Sequence, residues 1–223
     1  MSLRSDEEVS PEYQDEDSAL TLDALAFFGR ITANVSHEFK NRLATIKEKA
    51  GLLADLTAMA EKGIRPLDLA RVNTIAKDIA RQVETADGAC LRLNRFAHSV
   101  DVPERREDLV ELVSLITRLI ERQAVVAGVE ITLGSCPKVE VETNPFLFQQ
   151  VVYYCLLWAL DHAQTRALSL DVGRSEEQAF VSIKGAAFDE LVQRPSNRLV
   201  RALRKLGGRL EANTGEKEVT IRL

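Results

Sequence analysis

Residues 28–46 read FGRITANVSHEFKNRLATI and decide the fold of the first half of the chain. They belong to a longer run of apolar side chains spaced by three, four or seven residues: Leu25, Phe28, Ile31, Val35, Phe39, Ile46 and Leu53. Residues at this spacing share one face of a helix, so the pattern is typical of an amphipathic helix. No proline interrupts the run, and we predict one helix over residues 20–61.

A second apolar run predicts a partner for this helix. Gly63 and Pro66 form a helix-ending signal after the first run. The second run ends before Pro103 and spans residues 69–97, with its apolar positions at Leu69, Val72, Ile75, Ile79, Val83, Ala86, Cys90, Leu93 and Ala97. Two helices of similar length joined by a short loop form an antiparallel hairpin. Because a lone hairpin leaves much of its apolar surface in water, we predict that two copies associate as a homodimeric four-helix bundle.

The second half of the chain alternates between strand and helix patterns. We predict helices over residues 107–126, 144–163 and 198–206, and strands over 129–133, 138–142, 167–172 and 179–184. Asn144 and Pro145 suit the N-cap and first position of the middle helix. Two final strands flank the Thr214-Gly215 turn. This order predicts an α/β sandwich, with helices layered on one face of a mixed sheet.

Charge divides the 223 residues unevenly. Residues 1–18 hold seven acidic residues against Arg4, so we predict a disordered acidic tail there. The hairpin domain then covers residues 19–102 and the α/β domain residues 103–223. The formal net charge of the chain is −5, and the part after the tail is nearly neutral. A nucleic-acid partner is therefore not expected.

The cysteines and the distribution of apolar residues indicate where in the cell the protein is expected. The three cysteines show neither a CxxC pair nor metal-ligand spacing, and an odd number argues against a disulfide framework. No apolar run approaches the ~20 residues that span a bilayer. The N-terminus also lacks the basic and apolar regions of a signal peptide. We therefore expect a soluble, cytoplasmic protein with no membrane contact.

Residues 36–41, SHEFKN, carry the most chemical information in the chain. At 100° per residue, His37 falls off the apolar face, and Asn41 lies one turn further on the same side. A zinc site of the HExxH type would need a second histidine where Asn41 stands, so no metal is predicted. What remains is an exposed imidazole beside the Glu38 carboxylate. That arrangement suits an imidazole nucleophile with a base nearby.

The stretch from Phe28 to Ile46 resembles the phosphoacceptor box of sensor histidine kinases. In that family the phosphorylated histidine is followed by Glu, an apolar residue, any residue, and Asn or Thr. The resemblance implies that His37 accepts a phosphoryl group. We expect Glu38 to hold the reactive tautomer of its ring and Asn41 to orient a water molecule that releases free phosphate. Arg42 departs from the family, in which many members carry proline at this position. The hairpin is similar to the family's dimerisation and phosphotransfer domain.

The second half resembles the family's ATP-binding domain, a Bergerat-type fold, in a degenerate form. The asparagines that hold Mg²⁺ in the family correspond to Tyr154 and Trp158, which supply no suitable oxygen ligand. Only Asp161 keeps an acidic position. Residues 184–188, KGAAF, replace the Asp-x-Gly-x-Gly box, and residues 189–197 replace the lid without any glycine. We therefore predict that this domain binds no ATP and no Mg²⁺ of its own.

A phosphoacceptor histidine without a nucleotide site implies that the phosphoryl group comes from another protein. The chain resembles the histidine phosphotransferases of bacterial phosphorelays that look like degenerate kinases. The implied partners are receiver domains of response regulators, with a hybrid histidine kinase as a further candidate. The receiver would supply the Mg²⁺ ion. Two alternatives stay open: a noncatalytic pseudokinase that regulates a kinase or response regulator, and a response-regulator phosphatase that orients water with Asn41.

Overall fold

The computed structural model describes residues 11–134, 136–175 and 178–223. Its helices are α1 (Pro11–Glu61), α2 (Leu69–Ala97), α3 (Leu109–Leu119), α4 (Glu121–Ala127), α5 (Pro145–Asp161), α6 (Asp189–Gln193) and α7 (Asn197–Leu206). Its strands are β1 (Arg105–Asp108), β2 (Glu130–Leu133), β3 (Glu140–Thr143), β4 (Ala167–Ser175), β5 (Gln178–Lys184), β6 (Arg209–Asn213) and β7 (Glu218–Arg222). The chain forms two compact units. The hairpin unit is Ile31–His98, and the α/β unit joins the described residues up to Arg30 to Ser99–Leu223.

The hairpin unit is antiparallel, as predicted. Three polar contacts join α1 to α2: Glu38 with Arg92, Arg42 with Gln82 and Lys49 with Asp78. From one contact to the next, the residue number rises on α1 and falls on α2, so the two helices run in opposite directions. Helix α1 ends at Glu61, and α2 begins after Asp68, whose carboxylate accepts hydrogen bonds from the backbone of the first turn. An N-cap of this kind satisfies donors that a helix start leaves free. The loop therefore lies where the sequence placed it.

The hairpin unit leaves large apolar side chains in contact with solvent. Val83 belongs to the apolar run predicted for α2, and more than half of its surface is exposed. Leu43 and Leu91 lie outside the predicted runs and are exposed to a similar degree. A single copy thus exposes more apolar surface than the predicted stripe alone. Among the helices that the structure describes, none combines the length and hydropathy needed to cross a bilayer.

The α/β unit is built on a mixed sheet with the strand order β2-β4-β5-β7-β6. Strands β2 and β4 are parallel and the other neighbours are antiparallel, while β1 and β3 form a separate antiparallel pair. Helix α5 lies in the core, with Phe148, Val152 and Leu156 fully buried. The same burial raises the pKa of the Cys155 thiol to about 12, which keeps it in the unreactive, protonated form.

The start of α5 confirms the predicted capping signal. Asn144 is the N-cap, and its side-chain oxygen accepts a hydrogen bond of 2.9 Å from the Leu147 backbone. Pro145 occupies the first turn. A backbone N–H at this position has no partner within the helix, so proline loses no hydrogen bond there. The helix ends at Asp161, two residues before the predicted end.

The helix predicted over residues 107–126 is wrong at its start and in its middle. Glu107 and Asp108 end β1, and Asp108 then caps α3. One oxygen of Asp108 accepts hydrogen bonds from the backbone N–H groups of Val110 and Val139, at 3.0 and 3.2 Å. These two hydrogen bonds hold the end of β1 against the start of α3. The one from Val139 joins residues far apart in sequence, so hydrophobic periodicity does not predict it. Ile120 has a non-helical backbone and separates α3 from α4.

The first thirty residues also differ from the prediction. Residues 11–18, assigned by sequence to a disordered tail, begin α1, whereas residues 1–10 lie outside the described part of the chain. Residues up to Arg30 belong to the α/β unit, so the unit boundary lies at 30/31 rather than 18/19. Among residues 16–30, the buried ones are Asp23 and Phe27, not the predicted Leu25 and Phe28.

Candidate functional site

His37 lies on α1 in the hairpin unit with its side chain exposed. Val35 is buried and Phe39 half-buried, so the imidazole is off the buried stripe, as the helical spacing predicts. Among the residues that the structure describes, His37 makes no side-chain hydrogen bond or ion pair. An exposed and unpaired ring can present either nitrogen to a reactant, because the neutral imidazole has one donor and one acceptor.

Asn41 lies one helical turn beyond His37 and is also exposed. Residues four apart on a helix have Cβ atoms roughly 6 Å from each other. The backbone oxygen of Asn41 accepts a hydrogen bond from the Thr45 hydroxyl, and its amide group has no partner among the described residues. One small group could therefore contact both side chains. Within the described residues, no set of three or more His, Cys, Asp or Glu side chains is arranged to hold a metal ion.

Glu38 is half-buried and faces α2 rather than His37. Its Oε1 atom lies 3.7 Å from Arg42 Nη2 and 3.9 Å from Arg92 Nη2. Arg42 also donates a hydrogen bond of 3.2 Å to Gln82 Oε1. No hydrogen bond joins Glu38 to the imidazole in the described structure. The carboxylate is therefore held within a small polar cluster between the two helices.

Sequence reasoning did not find the part played by Arg42 and Arg92. Arg42 was singled out only as a departure from the family's proline, yet it continues α1 without a break and contacts α2. Arg92 had no motif to mark it. Its signal is positional, because Glu38 and Arg92 lie at similar distances from the loop of an antiparallel hairpin. Opposite charges at such paired positions predict a contact between helices.

Tyr154 and Trp158 are the α5 positions that the resemblance aligns with the family's Mg²⁺-holding asparagines. Both carry aromatic side chains with partners inside the α/β unit. The hydroxyl of Tyr154 accepts a hydrogen bond from Gln150, and burial raises the pKa of Tyr154 above its ordinary value. The indole N–H of Trp158 donates to the Ala187 carbonyl at 2.9 Å. Its ring stacks on that of His162, with 4.0 Å between centroids. Asp161 is exposed at the end of the helix.

The segment that the resemblance aligns with the family's adenine box and lid is short, and its residues Ala186, Phe188 and Leu191 are buried. Gly185 has a φ of +113°, and a Cβ atom there would lie 2.5 Å from the Ala167 carbonyl oxygen. A larger residue would collide with this backbone, so the single remaining glycine has a structural reason. Helix α6 occupies Asp189–Gln193, where the resemblance implies a mobile lid. Sequence reasoning missed this short helix.

Comparisons with known proteins give similarity at the level of structure only. No family model and no curated protein matches the chain. The histidine kinase AdeS of Acinetobacter baumannii has a TM-score of 0.46 at 14% identity, over 79% of this chain and 95% of the other. The catalytic domain of the histidine kinase ThkA has the same TM-score and identity, over 54% and 94%. The ATP-binding domain of PrrB from Mycobacterium tuberculosis has a TM-score of 0.44 at 15% identity, over 54% and 95%.

The contact between Glu38 and Arg42 should be weak. Both side chains are partly exposed and their charged atoms are 3.7 Å apart, and such pairs contribute about 0–1 kcal/mol. We expect a double-mutant cycle with Glu38→Gln and Arg42→Ala, measured by urea unfolding, to give a coupling free energy below about 1 kcal/mol. The pair Lys49 and Asp78, at 3.3 Å, is the matched control. A coupling free energy well above about 1 kcal/mol would mean that Glu38 is held too strongly to leave its cluster.

Proposed function

We propose that the protein is a histidine phosphotransferase of a two-component phosphorelay, and that it carries a phosphoryl group on His37 between aspartates of receiver domains. The observation that carries the proposal is the exposed, unpaired imidazole of His37 on the hairpin, with the Asn41 amide one turn away. The phosphoacceptor motif around His37 supports the same assignment. The degenerate nucleotide boxes favour a protein donor over ATP.

The proposed transfer needs only the imidazole from this chain. The unprotonated ring nitrogen of His37 attacks the phosphorus of an aspartyl phosphate. A P–N bond forms while the P–O bond to the aspartate breaks, and the aspartate leaves as a carboxylate. The proton on the other ring nitrogen stays in place, so the product is a phosphoimidazolium. The reverse step passes the group to a second receiver, and the catalytic contribution is mainly positioning.

Glu38 would assist by accepting a hydrogen bond from the second ring nitrogen, which holds the reactive tautomer. To do so the carboxylate must turn away from Arg42 and Arg92. Its distances to them, 3.7 and 3.9 Å, exceed those of charge-assisted hydrogen bonds, so this turn costs little. Mg²⁺ and an activating lysine would come from the receiver domain. Lys40, exposed next to the motif, is a candidate contact with the receiver.

The transfer is tested by incubating the protein with a receiver that carries labelled aspartyl phosphate. His37→Gln should abolish labelling of this protein and leave slow hydrolysis of the receiver unchanged, because an amide cannot take the group covalently. Asn41→Ala should keep the transfer and slow the release of free phosphate, because the amide is the group able to hold a water molecule. A time course on one gel reads both effects. Labelling of the His37→Gln protein would remove the phosphoacceptor assignment.

The same experiment separates the alternatives. A response-regulator phosphatase is favoured by one observation, the exposed Asn41 amide beside His37. It would release label from the receiver as free phosphate without stable label on this chain. A noncatalytic regulator would change neither. Label that persists on the wild-type protein during the incubation, and that is released by acid, supports the phosphotransferase.

We also propose that the α/β unit does not bind Mg-ATP. The support is that Tyr154 and Trp158 stand where the resemblance places the family's metal-holding asparagines, and that both form hydrogen bonds within the unit. Titration calorimetry with millimolar Mg-ATP should show no saturable heat. The variant Trp158→Asn restores the family's residue type. Titrating it in the same way tests whether this one side chain is what prevents Mg-ATP binding. A micromolar dissociation constant for the wild type would overturn the proposal.

A homodimer through the hairpin completes the proposed function, with one His37 in each copy. The apolar side chains exposed on α1 and α2 support it, because their burial against a second copy would be favourable. Sedimentation should give about twice the chain mass of 24.8 kDa. Val83→Asp should shift the protein toward monomer, whereas Val126→Asp, equally apolar but in α4, should not. A wild-type monomer at micromolar concentration would contradict the dimer.

A further inference from the structure

The start of α1 is bound to α7 through a buried carboxylate. Asp23 is 5% exposed. Its Oδ2 accepts hydrogen bonds from Arg201 Nε and Nη2, at 2.9 and 2.5 Å, and its Oδ1 lies 3.1 Å from Arg198 Nε. Two guanidinium groups thus converge on one carboxylate. A buried carboxylate needs such partners, since burying it alone would be very unfavourable.

A second ion pair extends this contact along both helices. Glu16, seven residues before Asp23, lies 2.8 Å from Arg204 Nη1. The lower-numbered acid on α1 contacts the higher-numbered arginine on α7, so the two segments run antiparallel. Residues seven apart share a helix face, as do residues three apart. The contacting acids of α1 and the contacting arginines of α7 therefore each lie along one face of their own helix.

An aromatic side chain anchors the same face of α1. Phe27, one turn after Asp23, is 1% exposed. Its ring centroid is 5.2 Å from that of Phe146 and 4.9 Å from that of Tyr153, both on α5. Leu22 and Leu25, on the other side of α1, are largely exposed. The segment thus binds as an amphipathic helix does in a groove, by a few anchors at helical spacing.

We infer that α5 and α7 form a binding groove for an acidic amphipathic helix, that the start of α1 occupies this groove in the same chain, and that a partner protein with a helix of this chemistry competes for it. The recognised pattern is two carboxylates seven residues apart, followed by an aromatic residue four positions later. Two of the three contacting arginines of α7 remain accessible around the bound segment: 45% of the Arg198 side chain and 66% of the Arg204 side chain are exposed, against 25% for Arg201. An incoming carboxylate can reach them before the resident one leaves.

The probe is a labelled peptide of residues 11–30, and the experiment measures its affinity for the full-length protein and its variants. An occupied groove weakens apparent binding in proportion to the fraction that is open. Asp23→Ala with Phe27→Ala should release the resident segment, so this variant should bind the peptide about tenfold or more tightly than the wild type. Adding Arg201→Ala should abolish the gain, and a peptide with Asp23 and Phe27 replaced by alanine should not bind.

Two further variants keep the outcome decisive. If the alanine pair impairs folding, as judged by circular dichroism, Glu16→Gln with Asp23→Asn removes the charges at constant volume and should also strengthen peptide binding. His37→Gln should bind the peptide as the wild type does, which separates this inference from the proposed phosphotransfer. Equal affinities for the wild type and a folded, released variant would overturn the groove, as would no binding to that variant.

Discussion

The helical period of α1 is the constraint on which the candidate site depends. Burial of Ile31 and Val35 fixes which side of the helix is turned away from water. Because each residue advances the direction by 100°, His37 and Asn41 must then lie on the accessible side. The exposed face that carries both side chains is thus a consequence of the buried face. A change that rotated the buried stripe would move the imidazole with it, without touching His37 itself.

The regular elements could be predicted because their signals are local. The hairpin follows from two apolar runs and a Gly–Pro break, and α5 follows from the Asn144-Pro145 start; the structure confirms both. The exposure of His37 also follows from spacing alone. These inferences need only the geometry of a single helix and the chemistry of its first turn.

The features that escaped prediction depend on contacts between residues far apart in sequence. Asp108 ends a strand because it reaches Val139, and Asp23 is buried because α7 presents Arg198 and Arg201 nearly two hundred residues later. An acidic stretch read alone predicts disorder, since nothing in it shows the cations that will pair with it. The Glu38 cluster escaped for the same reason. In each case a charged group obtained its partner from the tertiary fold.

The absence of a proline at position 42 has a consequence for the entropy of docking. The backbone ladder of α1 runs without interruption beneath His37 from Pro11 to Glu61, so the ring owes its freedom to side-chain torsions alone. A partner that captures the imidazole has only those few rotations to arrest, because the backbone is already ordered. Preorganisation of this kind favours association without adding any contact. If the backbone next to His37 were disordered, a partner making the same contacts would bind more weakly, because it would also have to order that backbone.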